Sequence, residues 1–284
     1  MRNARKKCAV EYREYPPPAH LRGHIACVWR LSDAQPRAGV QTIYPDGRCE
    51  LIARLSGRSR LWDAVDGWHE QAPTLFAAQR VTAVQFEPIG VMDDIGVRLQ
   101  PAASTLVVRA LAPLRDRVAD LAALDGTVSR ELAAAARAFA DGSERRLWEL
   151  LAHLCARCVV DDKIAAAAAT LDAGGGQVRI ETLAADAGLG IRSLQTRFLA
   201  SVGLTPKEFA NVARLQAMLR ALDGDAPLAD LASDSGFSDQ AHATREIKRV
   251  TGFTLARLRD ELQRDRDGGT AIEIAAAFVR GNSR

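Results

Sequence analysis

Arginine and glutamine occur in each of two similar stretches of the carboxyl-terminal half of the chain. The first stretch runs from Gly188 to Phe198, and the second runs from Gly236 to Arg249. Arginine can donate two hydrogen bonds to the edge of guanine, and glutamine can pair in a similar way with adenine. These residue types therefore offer the chemistry of reading base edges in a groove of double-stranded DNA.

The two stretches belong to two copies of one helical unit. Residues before the turn match at an offset of 48, whereas Gly203 and Gly252, which lie beyond the turn, match at an offset of 49. The second turn is therefore one residue longer than the first. A helix, a turn that begins with glycine, and a second helix form the helix-turn-helix arrangement, whose second helix enters the major groove. Before the turn, three pairs match at an offset of 48 residues: Leu183 with Leu231, Asp186 with Asp234, and Gly188 with Gly236.

Hydrophobic spacing predicts which side of each second helix faces the protein. Leu194 and Phe198 lie four residues apart, as do Ala243 and Ile247, so each pair shares one inward face. The opposite faces hold the predicted base-reading residues, which are Arg192, Gln195, Thr196, Gln240, Thr244 and Arg245. Three further bases are predicted to bind phosphates, which add affinity without reading sequence: Lys207, Lys248 and Arg249.

A larger pattern connects these positions. It consists of Leu183-Ala184, Gly188, Leu194, Arg197-Phe198, Gly203, Thr205-Pro206, Arg214, Gly236-Phe237-Ser238-Asp239, Arg245, Lys248-Arg249, Gly252 and Leu258-Arg259. With this pattern, residues 180–262 resemble the AraC/XylS family of transcription regulators. The resemblance implies two helix-turn-helix units joined by a rigid helix, here about residues 206–222, which sets the two reading helices in successive major grooves. It also implies base-reading roles for the six residues named above.

Several positions depart from the family pattern, among them Leu255, which follows Thr254 where a proline is usual. Gly190 stands where a serine often caps the first reading helix, so we expect the start of that helix to be weaker by up to about 1 kcal/mol. Ala243 and Ile247 stand where larger aromatic side chains are usual. The second unit is therefore expected to be less tightly packed than is typical of the family.

Short apolar runs and turn signals fill the region from about residue 8 to residue 110. The turn signal Pro45-Asp46-Gly47 predicts a hairpin between the strands on either side of it. Several short strands with regular turns predict a small β-barrel or sandwich. The predicted strands are residues 25–31, 41–44, 50–55, 81–86 and 95–99.

Pieces of the same region resemble an N-terminal domain of obscure role that is found on some members of the AraC/XylS family. That resemblance indicates organisation rather than a ligand. The matching pieces are Tyr15 to Pro18, Val28-Trp29, Pro45-Asp46-Gly47 with Glu50 to Ile52, and Gly96 to Pro101 with the leucine-rich helices after it.

The composition changes after Pro101 to leucine and alanine at helical spacing. The expected fold is therefore an α+β chain of two domains, with a β-barrel or sandwich followed by helices and then an all-α double helix-turn-helix. Six helices are predicted in the second part, at about 180–187, 191–201, 206–222, 227–234, 239–250 and 255–263. The predicted domains are residues 1–160 for sensing or oligomerisation, residues 161–264 for DNA binding, and a tail of residues 265–284 with a short helix at 272–279.

One predicted helix, residues 143–158, carries an apolar stripe at helical spacing. Its members are Leu147, Leu151, Leu154 and Cys158. The stripe can pack in the core of its own domain or pair with a second subunit, and core packing is favoured because every globular helix has such a face.

The resemblance implies that the first domain binds an effector or a second subunit. Polar and aromatic side chains on or near its predicted strands are the candidates for a ligand pocket. They are His24, Trp29, Tyr44, Arg48, Glu50 and Arg98.

Composition limits the class of protein. The 284 residues suffice for two ordinary domains, and 48% hydrophobic with 26% charged residues is typical of a soluble globular chain. No apolar run approaches the roughly 20 residues of a membrane span, and no export signal is recognisable. Five cysteines, an odd number, favour reduced thiols in a cytoplasm. The expected partners are double-stranded DNA, RNA polymerase, a small-molecule effector and a second copy of the chain, and no cofactor or metal is expected.

Two rival functions stay open at this point. One is a degenerate reader that acts through protein contacts alone, which Gly190 and Ala243 suggest. The other is an enzyme, a cysteine-dependent methyl acceptor in DNA repair, which would need a clustered zinc site of four cysteines near the amino terminus. Cys8, Cys27 and Cys49 are too few and too dispersed for that site.

Overall fold

The computed structural model describes residues 11–34, 39–63, 67–222, 224 and 226–268. Cys8, the predicted helix at 272–279 and the rest of the tail beyond residue 268 lie outside the described residues. The described strands are β1 (Glu11–Tyr15), β2 (Ile25–Asp33), β3 (Gln41–Ile43), β4 (Glu50–Asp63), β5 (Gly67–Glu70), β6 (Thr74–Ala77), β7 (Val84–Leu99) and β8 (Val118–Asp120).

Helices follow the strands. Short 3-10 helices occur at Ala19–Leu21, Pro101–Ala103 and Ala112–Leu114. The α-helices are α1 (Leu121–Leu124), α2 (Gly126–Ala140), α3 (Arg145–Cys155), α4 (Asp162–Ala173), α5 (Ile180–Asp186), α6 (Ile191–Val202), α7 (Pro206–Ala221), α8 (Leu228–Asp234), α9 (Gln240–Thr251) and α10 (Leu255–Gly268). The predicted α+β order of strands and then helices is confirmed.

The strands form one antiparallel sheet in the order β1-β2-β7-β4-β6-β8, with β3 added beside β7 and β5 beside β4. The central strand β7 has 16 residues and unites the two strands predicted at 81–86 and 95–99, of which residues 81–83 are loop. One sheet face packs on α2 and α3, through residues such as Leu51, Val97, Leu132 and Leu151.

The predicted hairpin across Pro45-Asp46-Gly47 is wrong, although the turn itself is present. Gly47 has a φ of 77°, which suits glycine, and the Arg48 N–H donates to Asp46 Oδ1 at 3.0 Å. However, β3 pairs with β7 through Gln41 opposite Phe86, and it does not pair with β4. The reason is the length of β7, which extends past the end of β2 and leaves Val84–Phe86 for β3 on the same edge.

The apolar stripe of α3 packs inside its own domain. Leu147 and Leu151 are fully buried, and Leu154 is nearly so, in the core that α2 and the sheet share. Core packing, the favoured interpretation of this stripe, is confirmed, and the same leucines cannot also face a second subunit.

Six helices, α5 to α10, begin where the sequence predicts, to within one residue. They build two apolar cores, one for each helix-turn-helix unit. The long helix α7 belongs to both, since Phe209 and Val212 pack in the first core while Leu215 and Leu219 pack in the second. Because one continuous helix is fixed in both cores, it sets the position of one unit relative to the other.

Candidate nucleic-acid interface

The turns of the two units have the same hydrogen bonds. In the first turn Gly188 has a φ of 60°, and in the second Gly236 has a φ of 75°, a region that favours glycine. The Gly188 N–H donates to the Ala185 oxygen, and the Gly236 N–H donates to the Ser233 oxygen, each at 2.9 Å. The second turn continues through one more residue before its helix begins, as the change of offset predicts.

The reading helices begin differently. Helix α6 follows Gly190, which has no side chain with which to cap it, in line with the expected weak start. Helix α9 follows Asp239, whose Oδ1 accepts a hydrogen bond from the His242 N–H at 2.6 Å. This bond lowers the pKa of Asp239, and a carboxylate is favourable at a helix start. The second unit therefore has the better cap, while its inward residues Ala243 and Ile247 are the smaller pair.

The inward and outward faces lie as predicted. Leu194, Phe198, Ala243 and Ile247 are buried. The outward base-reading candidates are exposed except Thr244, which is half-buried. The phosphate-binding candidates Lys207, Lys248 and Arg249 are also exposed, and Arg249 pairs with Glu246 at 3.1 Å.

Two other arginines of the pattern serve the fold. Arg197, on α6, donates two hydrogen bonds of 2.7 Å to Asp161, the residue that caps α4. Arg214, on α7, donates to the Gly176 oxygen at 3.0 Å, and its guanidinium lies 5.4 Å from the centre of the Phe237 ring. Each of these arginines links helices of the DNA-binding region to one another, which accounts for their place in the pattern without a base contact.

A cavity of about 130 Å³ lies between the other face of the sheet and α7. Its apolar wall includes Leu31, Ile52 and Phe86 of the sheet, and Gln216 of α7 closes the opposite side. Four of the six predicted ligand residues line it, namely Trp29, Tyr44, Arg48 and Glu50.

The other two candidates do not line this cavity. His24 lies on a different side, where its Nε2 is 2.9 Å from the Cys158 oxygen. Arg98 is almost fully buried behind the wall, where it donates to Glu50 at 2.9 Å and to Glu14 at 3.0 Å. Neither residue therefore lines the cavity: His24 precedes β2, and Arg98, on the same face of β7 as Asp94, is covered through its bonds to Glu50 and Glu14.

Burial dominates the electrostatics of the wall. It raises the pKa of Glu50, and the positive charge of Arg98 opposes that rise. The Trp29 indole N–H also donates to Glu50, at 3.1 Å. Burial likewise raises the pKa of Asp94, which is held by Arg54 through hydrogen bonds of 3.1 and 3.2 Å.

The sequence interpretation missed Arg54, Asp94 and Gln216, although all three line the cavity. Arg54 and Asp94 sit opposite each other on β4 and β7, forty residues apart, and Gln216 comes from another domain. No local pattern connects such residues, so only the strand register could have identified them.

Two segments of the first domain both line the cavity and contact the DNA-binding helices. The first is the turn 44–47, whose Pro45 oxygen accepts a hydrogen bond from Gln216 Nε2 at 2.7 Å. The second is the loop 78–83, in which Val81 packs in the core of the first unit and Ala83 in the core of the second. The Ala83 N–H donates to the Val250 oxygen at the end of α9, at 2.9 Å.

One side chain joins these two segments. Gln79 is buried, and its Nε2 donates to the Gly47 oxygen at 2.8 Å. Its Cγ also lies beside Gly203, the left-handed residue that ends α6. The loop 78–83, which contributes Ala78 and Arg80 to the cavity wall, is therefore in contact with the ends of both reading helices.

The fold and this interface define a protein with a sheet domain joined to a double helix-turn-helix DNA-binding region. A family model described as a helix-turn-helix domain matches residues 183–261, and another, a domain of unknown function, matches residues 13–120. Residues 183–261 therefore carry an AraC-type helix-turn-helix domain, and the domain of unknown function lies on its amino-terminal side. No curated protein matches the chain.

Several solved structures are similar to the chain at low identity. ToxT from Vibrio cholerae is 9% identical over 88% of this chain and 98% of its own, with a TM-score of 0.46. A probable AraC family transcriptional regulator from Rhodopseudomonas palustris is 23% identical over 36% of this chain and 98% of its own, with a TM-score of 0.33. The DNA-binding domain of AdpA, in complex with a target DNA, is 25% identical over 38% of this chain and 99% of its own, with a TM-score of 0.36.

Among the described residues, no helix is both long and apolar enough to cross a membrane.

Proposed function

We propose that α6 and α9 lie in two successive major grooves on one face of double-stranded DNA. The observation that carries this proposal is the repetition of one unit, with the same turn hydrogen bonds and the same left-handed glycine after the second helix. In both copies the apolar face of that helix is buried and the polar face is exposed. The proposed base-reading residues are Arg192, Gln195, Thr196, Gln240, Thr244 and Arg245, with Lys207, Lys248 and Arg249 on phosphates.

The long helix α7 supports simultaneous reading by both units. Its two halves pack in different cores, so the reading helices are held at a fixed separation before DNA arrives. A pre-organised pair loses less entropy on binding than two units on a flexible linker.

Selection of bound fragments from random double-stranded DNA tests the reading assignment. The double variant R192A/R245A is expected to retain binding through phosphates and to lose the sequence preference of the parent. A matched control is R145A, on an exposed arginine of α3. If the double variant selects the same sites as the parent, the base-reading assignment is wrong.

We further propose that a small-molecule effector in the cavity controls DNA binding. The proposed sensor is the domain of residues 1–160, and the proposed reader is residues 161–264. Support comes from the turn 44–47 and the loop 78–83, which line the cavity and touch helices of the reader. A ligand that pushes these segments apart would move α7 and the end of α9.

A cavity-filling substitution tests this control without a known effector. Ala77 lines the cavity from β6, whereas Ala119 of the neighbouring β8 does not. We expect A77L to change the affinity for the selected DNA site by at least about threefold, because occupancy of the cavity is coupled to DNA binding in this proposal. A119L is expected to leave the affinity within about twofold of the parent. Equal DNA affinities for both variants would sink the proposal of control.

Contacts with RNA polymerase and with a second copy of the chain belong to the same proposal. A dimer would have to use a surface other than the leucine stripe of α3, which is buried. The rival methyl-acceptor function would need a thiolate as nucleophile. Burial raises the pKa of Cys27 and of Cys49 to about 12, so these two thiols do not support that function. A regulator that is not an enzyme therefore fits the chain better.

A further inference from the structure

The wall of the cavity contains a buried arginine that is only partly satisfied. Arg54 and Asp94 form an ion pair in which both side chains are about nineteen-twentieths buried, at 6% and 5% exposure. Arg54 uses its Nε and one terminal nitrogen, Nη2, for the two oxygens of Asp94. The remaining nitrogen, Nη1, is buried and has no hydrogen-bond partner among the described residues.

The geometry of the guanidinium group determines where the spare donors point. The group is planar, and a carboxylate bound along the edge of Nε and Nη2 leaves the N–H groups of Nη1 directed away from it. Arg54 lines the cavity, and a ligand oxygen placed within reach of Nη1 would supply the acceptor that this nitrogen lacks. A buried donor without a partner costs free energy, so an oxygen that accepts from Nη1 would favour binding of the ligand.

The charges of the wall favour an uncharged molecule over an anion. Each arginine of the wall already has an acceptor: Arg54 has Asp94, Arg48 has Asp172 at 2.6 Å, and Arg80 has the Asp116 carbonyl oxygen at 2.7 Å. The wall also carries the carboxyl groups of Asp46 and Glu50. An anion would add negative charge beside these carboxyl groups, and Arg54 and Arg48 already have carboxylate partners.

Volume sets the size of the ligand. The cavity holds about 130 Å³, slightly less than the engineered apolar cavity of about 150 Å³ that binds benzene. Most of the wall is apolar, through side chains such as Leu31, Leu75 and Phe86. The space therefore suits one ring or a branched chain of similar size.

We infer that the cavity binds an uncharged, ring-sized organic molecule whose carbonyl or hydroxyl oxygen accepts a hydrogen bond from Arg54 Nη1. This inference rests on the proposed control of DNA binding only for its biological meaning, because binding itself can be measured alone. It assigns to Arg54 the selection of a ligand with an acceptor and to the apolar wall the selection by size.

Three probes of similar shape test the chemistry: cyclohexanone, methylenecyclohexane and cyclohexanecarboxylate. Titrations of the full chain are followed by saturation-transfer NMR of the probe. Cyclohexanone is expected to bind about tenfold more tightly than methylenecyclohexane, which replaces the oxygen by a CH₂ group, and more tightly than the carboxylate. Equal affinities for cyclohexanone and methylenecyclohexane would mean that the ligand oxygen accepts no hydrogen bond from Arg54. Tightest binding of the carboxylate would mean that the cavity is an anion site. Either result overturns the inference.

Variants locate the site. R54K keeps a positive charge for Asp94 and removes Nη1, so it is expected to lower the affinity for cyclohexanone about tenfold and to leave methylenecyclohexane unchanged. A77L fills the same space from β6 and keeps the Arg54 side chain, and it is expected to abolish binding of both probes. If circular dichroism shows that R54K does not fold, probe binding by A77L and by A119L still decides whether the probe occupies this cavity. The ratio of the affinities of the parent for the two probes still decides the role of the oxygen.

The DNA measurements separate this inference from the proposed function. Probe binding as expected, with DNA affinity unchanged by cyclohexanone and by A77L, would reject control and retain the ligand class. Absence of probe binding, with DNA affinity altered by A77L but not by A119L, would reject the ligand class and retain control.

Discussion

Gln216 Nε2 of α7 donates a hydrogen bond of 2.7 Å to the carbonyl oxygen of Pro45, 171 residues earlier in the chain. Both residues line the cavity, and both are buried. Because α7 is shared by the two cores of the reader, this one bond connects the wall of the cavity to the helix that sets both units.

We expect Q216A to weaken the contact between the domains. The substitution leaves the buried Pro45 oxygen without its donor and opens a small space, which together lower the free energy of unfolding by about 1–3 kcal/mol. Urea unfolding of the full chain measures the loss. Q195A, on an exposed glutamine of α6, is the control and is expected to change stability by less than about 0.5 kcal/mol. Similar losses for the two variants would mean that the bond to Pro45 contributes nothing.

The two glycines that end the reading helices allow a matched comparison. Gly203 and Gly252 have φ angles of 87° and 80°, so alanine costs about 1 kcal/mol of backbone strain at either site. At Gly203 an added Cβ would also lie 3.1 Å from Leu111 of the first domain, whereas no atom lies within 4 Å of such a Cβ at Gly252 in the described residues. G203A is therefore expected to lower the free energy of unfolding by about 1 kcal/mol more than G252A. Equal losses of free energy of unfolding for G203A and G252A would show that Leu111 moves aside without an energetic cost.

The reader could be predicted from sequence because its information is local. The spacing of Leu194 and Phe198, the turn glycines and the repeated pattern each depend on a few neighbouring residues, and the helices begin within one residue of the prediction. The sheet depends on contacts between distant segments. The turn at Pro45–Gly47 was recognisable, but the pairing of β3 with β7 was not, since nothing in the turn reveals the length of a later strand.

The cavity could be predicted only in part for the same physical reason. Trp29 and Glu50 were candidates because their types suit a ligand site, and they line the cavity. His24 was an equally good candidate by type, but it meets Cys158 on another side. Arg54 gives no local signal, because its role depends on facing Asp94 across two strands.

The ion pair between Glu208 and Arg115 should make the contact between the domains sensitive to acid. Burial alone would raise the pKa of Glu208, but hydrogen bonds from Thr205 and the pair with Arg115 at 2.7 Å lower it below its usual 4.5. A carboxyl group whose folded pKa is lowered adds stability above the unfolded pKa, and the contribution is lost as pH falls through the folded pKa. E208Q should therefore be less stable than the parent at neutral pH.

The pH series gives the check. Urea unfolding of the parent and E208Q is compared from about pH 7 to about pH 3, and the gap between them is expected to shrink below about pH 4.5. E149Q, whose carboxyl group pairs with Arg145 on the exposed surface of α3, is the control and should show little gap at any pH. If the difference in free energy of unfolding between the parent and E208Q grew as the pH fell, a lowered pKa of Glu208 would be contradicted.

Salt dependence should separate phosphate contacts from base contacts. Lys248 is exposed near the end of α9, and we expect K248A to lower the magnitude of the slope of log affinity against log salt by about one, uniformly across DNA sequences, because one released counterion is lost. R249A should give a smaller change, since Arg249 already pairs with Glu246 at 3.1 Å. R145A, on α3, should leave the slope unchanged. Fluorescence anisotropy with labelled duplex over a range of salt concentrations measures all three, and an unchanged slope for K248A would remove this lysine from the DNA contact.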